Sequence, residues 1–177
     1  LAAGASTVKK TLLELGGKSA HIVLDDADFN SALPMAAMMA CVMSGQSCIL
    51  PSRILLPRSR YDEGLEMLKT MMEGFPVGDP WTPGNMQGPQ ISETQRQKVL
   101  GLIQSGIDSG ARLVTGGGVP ESLPVGYYVQ PTLLADVDRD EELALGLGKR
   151  RPAGRLAAPL LLAATAGALA LRRLCRT

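Results

Sequence analysis

Short apolar runs alternate along this chain with segments of helical periodicity, and this alternation constrains the fold more than any other feature. Residues 20–24 and 53–57 are rich in strand-forming residues, and we expect each to be a buried strand. Residues 112–115 are predicted to form a third strand, and residues 128–137 an extended run. Nearly continuous apolar strands separated by helices favour an α/β fold in which a parallel sheet is flanked by helices.

Three helices are predicted between these runs. Residues 31–43 are dominated by Ala, Leu and Met after a start rich in Asn and Ser. A second helix is predicted from residue 59, because its apolar residues recur every three or four positions, at Tyr61, Leu65, Leu68, Met72 and Phe75. A third begins with a capping box at residues 92–95 and ends at Gly110. Residues 76–89 are rich in Gly and Pro, which predicts a long surface loop.

Four methionines of the first predicted helix form a stripe that resembles a face for a cofactor or a partner; they are Met35, Met38, Met39 and Met43. Packing in the core is the favoured interpretation, because methionine readily fills irregular gaps between helices and sheets. Cys41 is assigned to the same face, and we expect it to be a buried and unreactive thiol.

The sequence contains three cysteines and one histidine. The odd number of cysteines and the lack of a Cys-x-x-Cys pair argue against a disulfide framework and a zinc site, so no metal is expected. Reduced thiols fit a cytoplasmic protein. A Ser-His-Asp or Cys-His mechanism would need His21, and a surface or strand-end histidine is the favoured interpretation of that residue.

A thiol and a carboxylate are the two candidate reactive groups. Cys48 follows a glycine turn in Ser-Gly-Gln-Ser-Cys at residues 44–48, where a helix is predicted to end. Such a position keeps a thiol partly exposed and close to backbone amides that bind an oxyanion. Glu14 precedes a Gly-Gly turn and is suited to act as a base toward water or a thiol. Residue types alone make this a weak pair, since a nucleophile and a carboxylate occur together in most chains of this size.

The local sequences around these two residues are more specific. Leu-Glu-Leu-Gly-Gly-Lys-Ser at residues 13–19 resembles the glutamate signature of the aldehyde dehydrogenase superfamily, and Gly-Gln-Ser-Cys at residues 45–48, followed by Ser-Arg, resembles its cysteine signature. Gly-Pro-Gln-Ile-Ser at residues 88–92 and Val-Gln-Pro-Thr-Leu-Leu at residues 129–134 are similar to later segments of the family. The resemblance implies a partial catalytic domain of the aldehyde dehydrogenase fold that lacks most of the cofactor-binding domain.

The resemblance also implies a role for each residue. Cys48 would attack an aldehyde, a small-molecule substrate, and the resulting thiohemiacetal would pass a hydride to NAD⁺ or NADP⁺ to leave a thioester. Glu14 would activate the water that hydrolyses this thioester, and the backbone N–H of Cys48 would be one oxyanion donor. Leu15 and Gly16, beside the base, would come near the nicotinamide. Family members form homo-oligomers, and no nucleic-acid partner is expected.

The last part of the chain differs in composition from the rest. All 17 acidic residues precede residue 143, whereas seven of the basic residues follow residue 145. The Glu-Glu-Ile-Phe-Gly-Pro motif that the family carries in this region does not appear. We therefore expect residues 1–145 to be the aldehyde dehydrogenase catalytic-domain segment. Residues 146–177 are expected to be a basic tail rich in Ala, Leu and Arg that is unrelated to the family, and our hypothesis for its origin is a shifted reading frame.

Alternatives remain for the tail and for activity. Residues 156–171 are uncharged and could form a short membrane segment, but sixteen residues are fewer than the roughly 20 that span a bilayer. A disordered or poorly packed helical tail is favoured instead. The competing hypothesis for function is a catalytically inactive remnant without cofactor binding, or a membrane-associated fragment, and we expect the isolated chain to show no turnover.

Overall fold

The computed structural model describes residues 2–5, 7–12, 15–137 and 168–174. Within them the helices are α1 (Ala2–Ala5), α2 (Phe29–Cys41), α3 (Tyr61–Glu73) and α4 (Glu93–Asp108), and the strands are β1 (Ala20–Ile22), β2 (Arg53–Pro57), β3 (Arg112–Thr115), β4 (Thr132–Ala135) and β5 (Ala168–Leu174). Two short 3₁₀ turns, Val42–Gly45 and Arg58–Arg60, follow α2 and precede α3. Helices and strands alternate from α1 to α3 as predicted, whereas α4 follows α3 directly and β3, β4 and β5 are consecutive among the described elements.

The strands form one five-stranded sheet in the order β1-β2-β5-β4-β3. Neighbouring strands from β1 to β4 run parallel. Among the described strands, β3 and β4 form the one antiparallel pair, with a register shift between Leu113 and Thr115. The predicted α/β fold with a parallel sheet flanked by helices is confirmed, with one antiparallel strand at the edge.

The core lies on both faces of this sheet. Leu133 and Ala135 of β4 join a cluster with α2, β2 and α3, in which Phe29, Leu56 and Leu68 are fully buried. Leu134 instead belongs to a second cluster with residues of α4. Because alternate residues of a strand point to opposite faces, α2 and α3 cover one face of β4 and α4 covers the other.

The helix ends follow from capping groups. Asp28 caps α2, where its carboxylate accepts a hydrogen bond from the backbone N–H of Asn30 at 3.0 Å, so the helix begins two residues before the predicted start. The predicted cap of α4 is confirmed, because the Ser92 hydroxyl oxygen accepts from the N–H of Gln95 at 3.2 Å. Both caps satisfy backbone donors that have no partner inside the helix.

Burial corrects two predictions. The first strand is shorter than expected and lies at the sheet edge, so Ile22 and Leu24 are each 60% exposed rather than buried. The predicted methionine stripe is not fully buried: Met35 in α2 and Met43 in the 3₁₀ turn that follows are 49% and 63% exposed, and Met38 and Met39 are half-buried. Phe29, Leu33, Cys41 and three alanines occupy the buried face of α2 instead. Small residues let the helix approach the sheet closely, and the longer methionines lie outside this contact.

The tail prediction is wrong for residues 168–174, which form β5 rather than a disordered or helical segment. The backbone of β5 pairs with β2 on one side and with β4 on the other, so it satisfies hydrogen-bonding groups of two neighbouring strands. Residues 138–167 and 175–177 lie outside the described residues. Over the part of the chain that is described, no helix combines the length and the apolar character needed to cross a membrane.

Candidate active site

Cys48 lies on the connection between α2 and β2, in an exposed turn. This connection contains three consecutive residues with left-handed backbone angles: Met43 and Ser44 each have φ of 55°, and Gly45 has φ of 67°. A residue other than glycine in this conformation costs roughly 1–3 kcal/mol, and it persists only where surrounding contacts enforce it. The predicted glycine turn before Cys48 is therefore part of a longer strained segment.

Three hydrogen bonds join this strained turn to the segment that directly precedes α4. The Ser44 hydroxyl donates to the carbonyl of Gly88 at 2.8 Å, and the side-chain amide of Gln90 donates to the carbonyl of Ser44 at 3.2 Å. The backbone N–H of Ile91 donates to the side-chain oxygen of Gln46 at 3.0 Å. Ser44 and Gln90 are both buried. The Gly-Pro-Gln-Ile-Ser segment thus holds the residues that precede Cys48.

That segment is itself anchored to the chain around β4. The side-chain amide of Gln87 donates to the carbonyl of Val129 at 2.7 Å, and the N–H of Gln90 donates to the carbonyl of Tyr127 at 2.9 Å. Within the described residues, the side-chain oxygens of Gln87 and Gln90 are buried without a hydrogen-bond partner. Each buried acceptor of this kind costs about 1–3 kcal/mol, so the glutamines are held here at some expense of stability.

The glutamate signature reaches the same turn from the other side. Glu14 itself lies outside the described residues, as does Leu13. Gly17, three residues later, packs against the backbone of Cys48 so closely that a β-carbon at Gly17 would overlap the Cys48 carbonyl. The two segments that sequence analysis paired are therefore in direct contact in the fold.

Leu15 and Gly16, the residues expected near a nicotinamide, lie just before this contact. Leu15 is 71% exposed, and a β-carbon added at Gly16 would meet nothing within 4 Å. Open space beside Gly16 and an exposed apolar side chain at Leu15 leave room for the approach of a flat ring. The residues present therefore fit the expected cofactor contact.

A group of positive charges adjoins the contact between the two signatures. The guanidinium of Arg53, at the start of β2, donates to the carbonyl of Lys18. Burial lowers the pKa of Lys18 to about 8, and repulsion from Arg53 and Lys98 adds to this effect. Arg53 is itself buried, with its Nε unpaired among the described residues.

The other candidate groups are less suited to catalysis. Burial raises the pKa of the Cys41 thiol to about 12, so this thiol stays protonated and confirms the expectation of a buried cysteine. His21 is the middle residue of β1 and half-buried, and this burial lowers its pKa. No group of three or more His, Cys, Asp or Glu side chains in the described part of the chain could hold a metal ion.

Sequence reasoning identified Cys48 and its exposed turn but missed the residues that hold the turn. Ser44, Gln46 and Gln90 act through contacts with residues more than 40 positions away along the chain. Their sequence signal is weak, since a glutamine in a loop is usually solvated. The only available hint was that Gln90 falls within a segment that resembles a known family.

Comparison with known proteins agrees with this arrangement. A family model described as "Aldehyde dehydrogenase family" matches residues 1–145. The chain is 41% identical over 144 residues to the betaine aldehyde dehydrogenase of Rhizobium johnstonii, a match that covers 81% of this chain and 30% of that protein. It is 43% identical over 143 residues to aldehyde dehydrogenase 1A1 of Bos taurus, covering 81% of this chain and 28% of that protein. The chain thus spans about 30% of the length of these curated relatives.

Solved structures give the same result. The crystal structure of the Mycobacterium tuberculosis aldehyde dehydrogenase complexed with NAD⁺ superposes with a TM-score of 0.80 at 40% identity, covering 97% of this chain and 32% of that one. The aldehyde dehydrogenase from Bartonella henselae gives a TM-score of 0.78 at 37% identity, with 96% and 32% covered. On the sequence match, the shared fold and the contact between its two signature segments, the chain belongs to the aldehyde dehydrogenase family.

Proposed function

We propose that this chain carries the thiol and the carboxylate of an aldehyde dehydrogenase active site, and that the whole protein oxidises an aldehyde to a carboxylate with NAD⁺ or NADP⁺. Cys48 is the nucleophile and Glu14 the general base. The single observation that carries the proposal is the packing of Gly17 against the backbone of Cys48, because it brings the glutamate signature to the thiol.

The chemistry follows from these two groups. The Cys48 thiolate attacks the carbonyl carbon of the aldehyde, and the backbone N–H of Cys48 donates to the oxygen that becomes negative. A nicotinamide cofactor held beside Leu15 and Gly16 would supply the hydride acceptor that is needed to convert the adduct on Cys48 into a thioester. Glu14 takes a proton from water as the water attacks the thioester. The carboxylate leaves, and the thiol of Cys48 is regenerated.

The cofactor contact is assigned to Leu15 and Gly16. Gly16 offers backbone without a side chain next to the reacting thiol, and Leu15 offers an exposed apolar surface. The known structure of the Mycobacterium tuberculosis aldehyde dehydrogenase contains NAD⁺, which supports the same cofactor class here. The presence of Glu14 favours hydrolysis of the thioester over transfer of its acyl group to coenzyme A. Cys41 and Cys48 are both free thiols, which fits a reduced, cytoplasmic setting.

An activated aryl ester tests the two groups without any cofactor. It acylates a reactive cysteine directly, so it forms the same kind of thioester while skipping the hydride transfer. We expect p-nitrophenyl acetate to add one acetyl group to the Cys48 peptide of the 177-residue chain, as seen by mass spectrometry, and Cys48→Ser to abolish this addition. Acetylation that persists unchanged in Cys48→Ser would refute the assignment of the nucleophile.

The base is tested in the second half of the same reaction. In Glu14→Gln the acetyl group should still load onto Cys48 but should leave slowly, so the thioester accumulates after the first release of p-nitrophenolate. Glu73→Gln is the matched control, because Glu73 is an exposed carboxylate in the last turn of α3. Equal rates of thioester loss in the wild type and in both glutamine variants would remove Glu14 from the mechanism.

The second candidate function is a catalytically inactive remnant without cofactor binding. The matched segment of 144 residues corresponds to 30% of the length of two curated relatives. We expect no reduction of NAD⁺ when the purified chain alone is given a panel of aldehydes. Turnover that disappears in Cys48→Ser would overturn this expectation and show that the chain suffices for the whole reaction.

A further inference from the structure

The strained turn before Cys48 needs contacts from elsewhere in the fold to maintain its backbone conformation. Met43 and Ser44 both have left-handed backbone angles, which together cost roughly 2–6 kcal/mol. Gly45 adopts this conformation without strain because it has no β-carbon, whereas Met43 and Ser44 adopt it at a steric cost. Without contacts from elsewhere in the fold, this turn would relax to a more common conformation and carry the thiol with it.

We propose that Gln90 and Ser44 are positioning residues for the reaction of Cys48, because their hydrogen bonds hold the left-handed turn that presents the thiol. This inference rests on the proposed function of Cys48 as a nucleophile. Gln90 donates its side-chain amide to the carbonyl of Ser44, which is one of the two strained residues. The Ser44 hydroxyl ties the same residue to the carbonyl of Gly88. Both the backbone and the side chain of Ser44 are therefore hydrogen-bonded to the segment that precedes α4.

The segment that bonds to the turn is itself held in place by further hydrogen bonds. The backbone N–H of Gln90 donates to the carbonyl of Tyr127, and the neighbouring Gln87 donates to the carbonyl of Val129. Val129 belongs to the core cluster that packs against α4. A displacement of the turn would therefore have to break buried bonds to a packed part of the molecule.

The cost carried by Gln90 points to a role in positioning more than in stability. Its side-chain oxygen is buried without a partner among the described residues, so Gln90 gains one hydrogen bond and leaves one acceptor unsatisfied. Leucine has a similar size and no polar atoms. Replacement by leucine removes the unsatisfied oxygen together with the bond to Ser44, and these two effects on folding free energy have opposite signs.

The test compares two reactions of the same thiol in the full 177-residue chain. Acylation by p-nitrophenyl acetate needs the thiol and an oxyanion donor in a fixed relation, whereas alkylation by iodoacetamide needs only an exposed thiolate. Both rates are measured at the Cys48 peptide from pH 6 to pH 10. The urea unfolding midpoint of each variant is measured alongside.

We expect Gln90→Leu and Ser44→Ala each to slow acylation by about tenfold or more, while the pH profile of alkylation stays within about twofold of the wild type. Gln104→Leu is the matched control, since Gln104 is an exposed residue of α4 whose side-chain amide donates to Asp108. It should change neither rate.

Each other outcome has a distinct meaning. If the wild type is not acylated at Cys48, the proposed function fails, and this inference fails with it. If the wild type is acylated and Gln90→Leu and Ser44→Ala react at the same rate, only the inference is overturned. Equal slowing of both reactions together with a lower unfolding midpoint would assign Gln90 and Ser44 a purely structural role, which also overturns it.

Discussion

Gly17 is the residue at which the two signature segments touch. A β-carbon at this position would overlap the carbonyl of Cys48, and backbone cannot move aside as a flexible side chain can. We expect Gly17→Ala to displace the Cys48 turn and to lower the free energy of unfolding by roughly 1–3 kcal/mol. Acylation of Cys48 by the aryl ester should slow in the same variant. Urea unfolding and the acylation rate are the two measurements.

Gly16 supplies the matched control for this prediction. It is the neighbouring glycine, and an added β-carbon there would meet nothing within 4 Å. Gly16→Ala should therefore leave both the unfolding free energy and the acylation of Cys48 close to the wild-type values. Similar effects of the two substitutions would mean that chain flexibility at the glycine pair, and not the contact with Cys48, is what matters.

At this scale, sequence reasoning can propose a residue where its own neighbours along the chain carry the information. Cys48 and Glu14 stand within short, specific sequences, so they could be proposed as a pair. The contact of Gly17 with Cys48 and the hydrogen bond from Gln90 to Ser44 could not be predicted in the same way. Both arise from packing between segments that are far apart in the chain, and neither leaves a local pattern.

Helix α3 packs onto the sheet at a glycine. A β-carbon at Gly64 would lie 2.6 Å from a methyl carbon of Leu56 and 3.1 Å from the ring of Phe29, both of them fully buried. We expect Gly64→Ala to lower the free energy of unfolding by about 1–3 kcal/mol through overpacking, although alanine is the better helix former by roughly 1 kcal/mol. The measurement is urea unfolding followed by circular dichroism.

Replacing a glycine of α4 by alanine should change the free energy of unfolding in the opposite direction. Gly101 is exposed on that helix, and an added β-carbon would meet nothing within 4 Å. Gly101→Ala should therefore raise the unfolding free energy by about 0.5–1 kcal/mol, because only the helix propensity changes. If both alanine variants are stabilised, the contact of α3 with β2 is looser than described and the packing argument is wrong.

At this scale the periodicity of the sequence predicted which elements form but not always which face is buried. Helix α3 follows its apolar pattern closely, since Tyr61, Leu65, Leu68 and Met72 are buried. Helix α2 does not, because alanine and methionine alternate on it without a clear polar face. Only packing in the assembled core decides that its alanines are inside and that Met35 is outside.

In the whole molecule, β5 joins the two parts of the sheet. It lies between β2 and β4 and pairs in parallel with both, so its removal would leave two strands with unpaired backbone groups in the middle of the sheet. Composition made residues 146–177 look foreign to the rest of the chain, and it gave no sign that part of them completes the sheet. Strand pairing across the chain is a property of the assembled sheet, which is why local sequence did not predict it.

This position predicts the effect of shortening the chain. A chain that ends at residue 145 keeps the whole match to the aldehyde dehydrogenase family but loses β5. Because a domain is stable by only about 5–15 kcal/mol, we expect the loss of a central strand to abolish cooperative urea unfolding. Exposed edges of β2 and β4 should also promote association, visible by light scattering.

The control is a chain that ends at Leu174, which keeps β5 and should unfold as the full chain does. If the chain of 145 residues unfolds cooperatively at the same midpoint, β5 contributes nothing to stability, and the family segment forms its sheet without it.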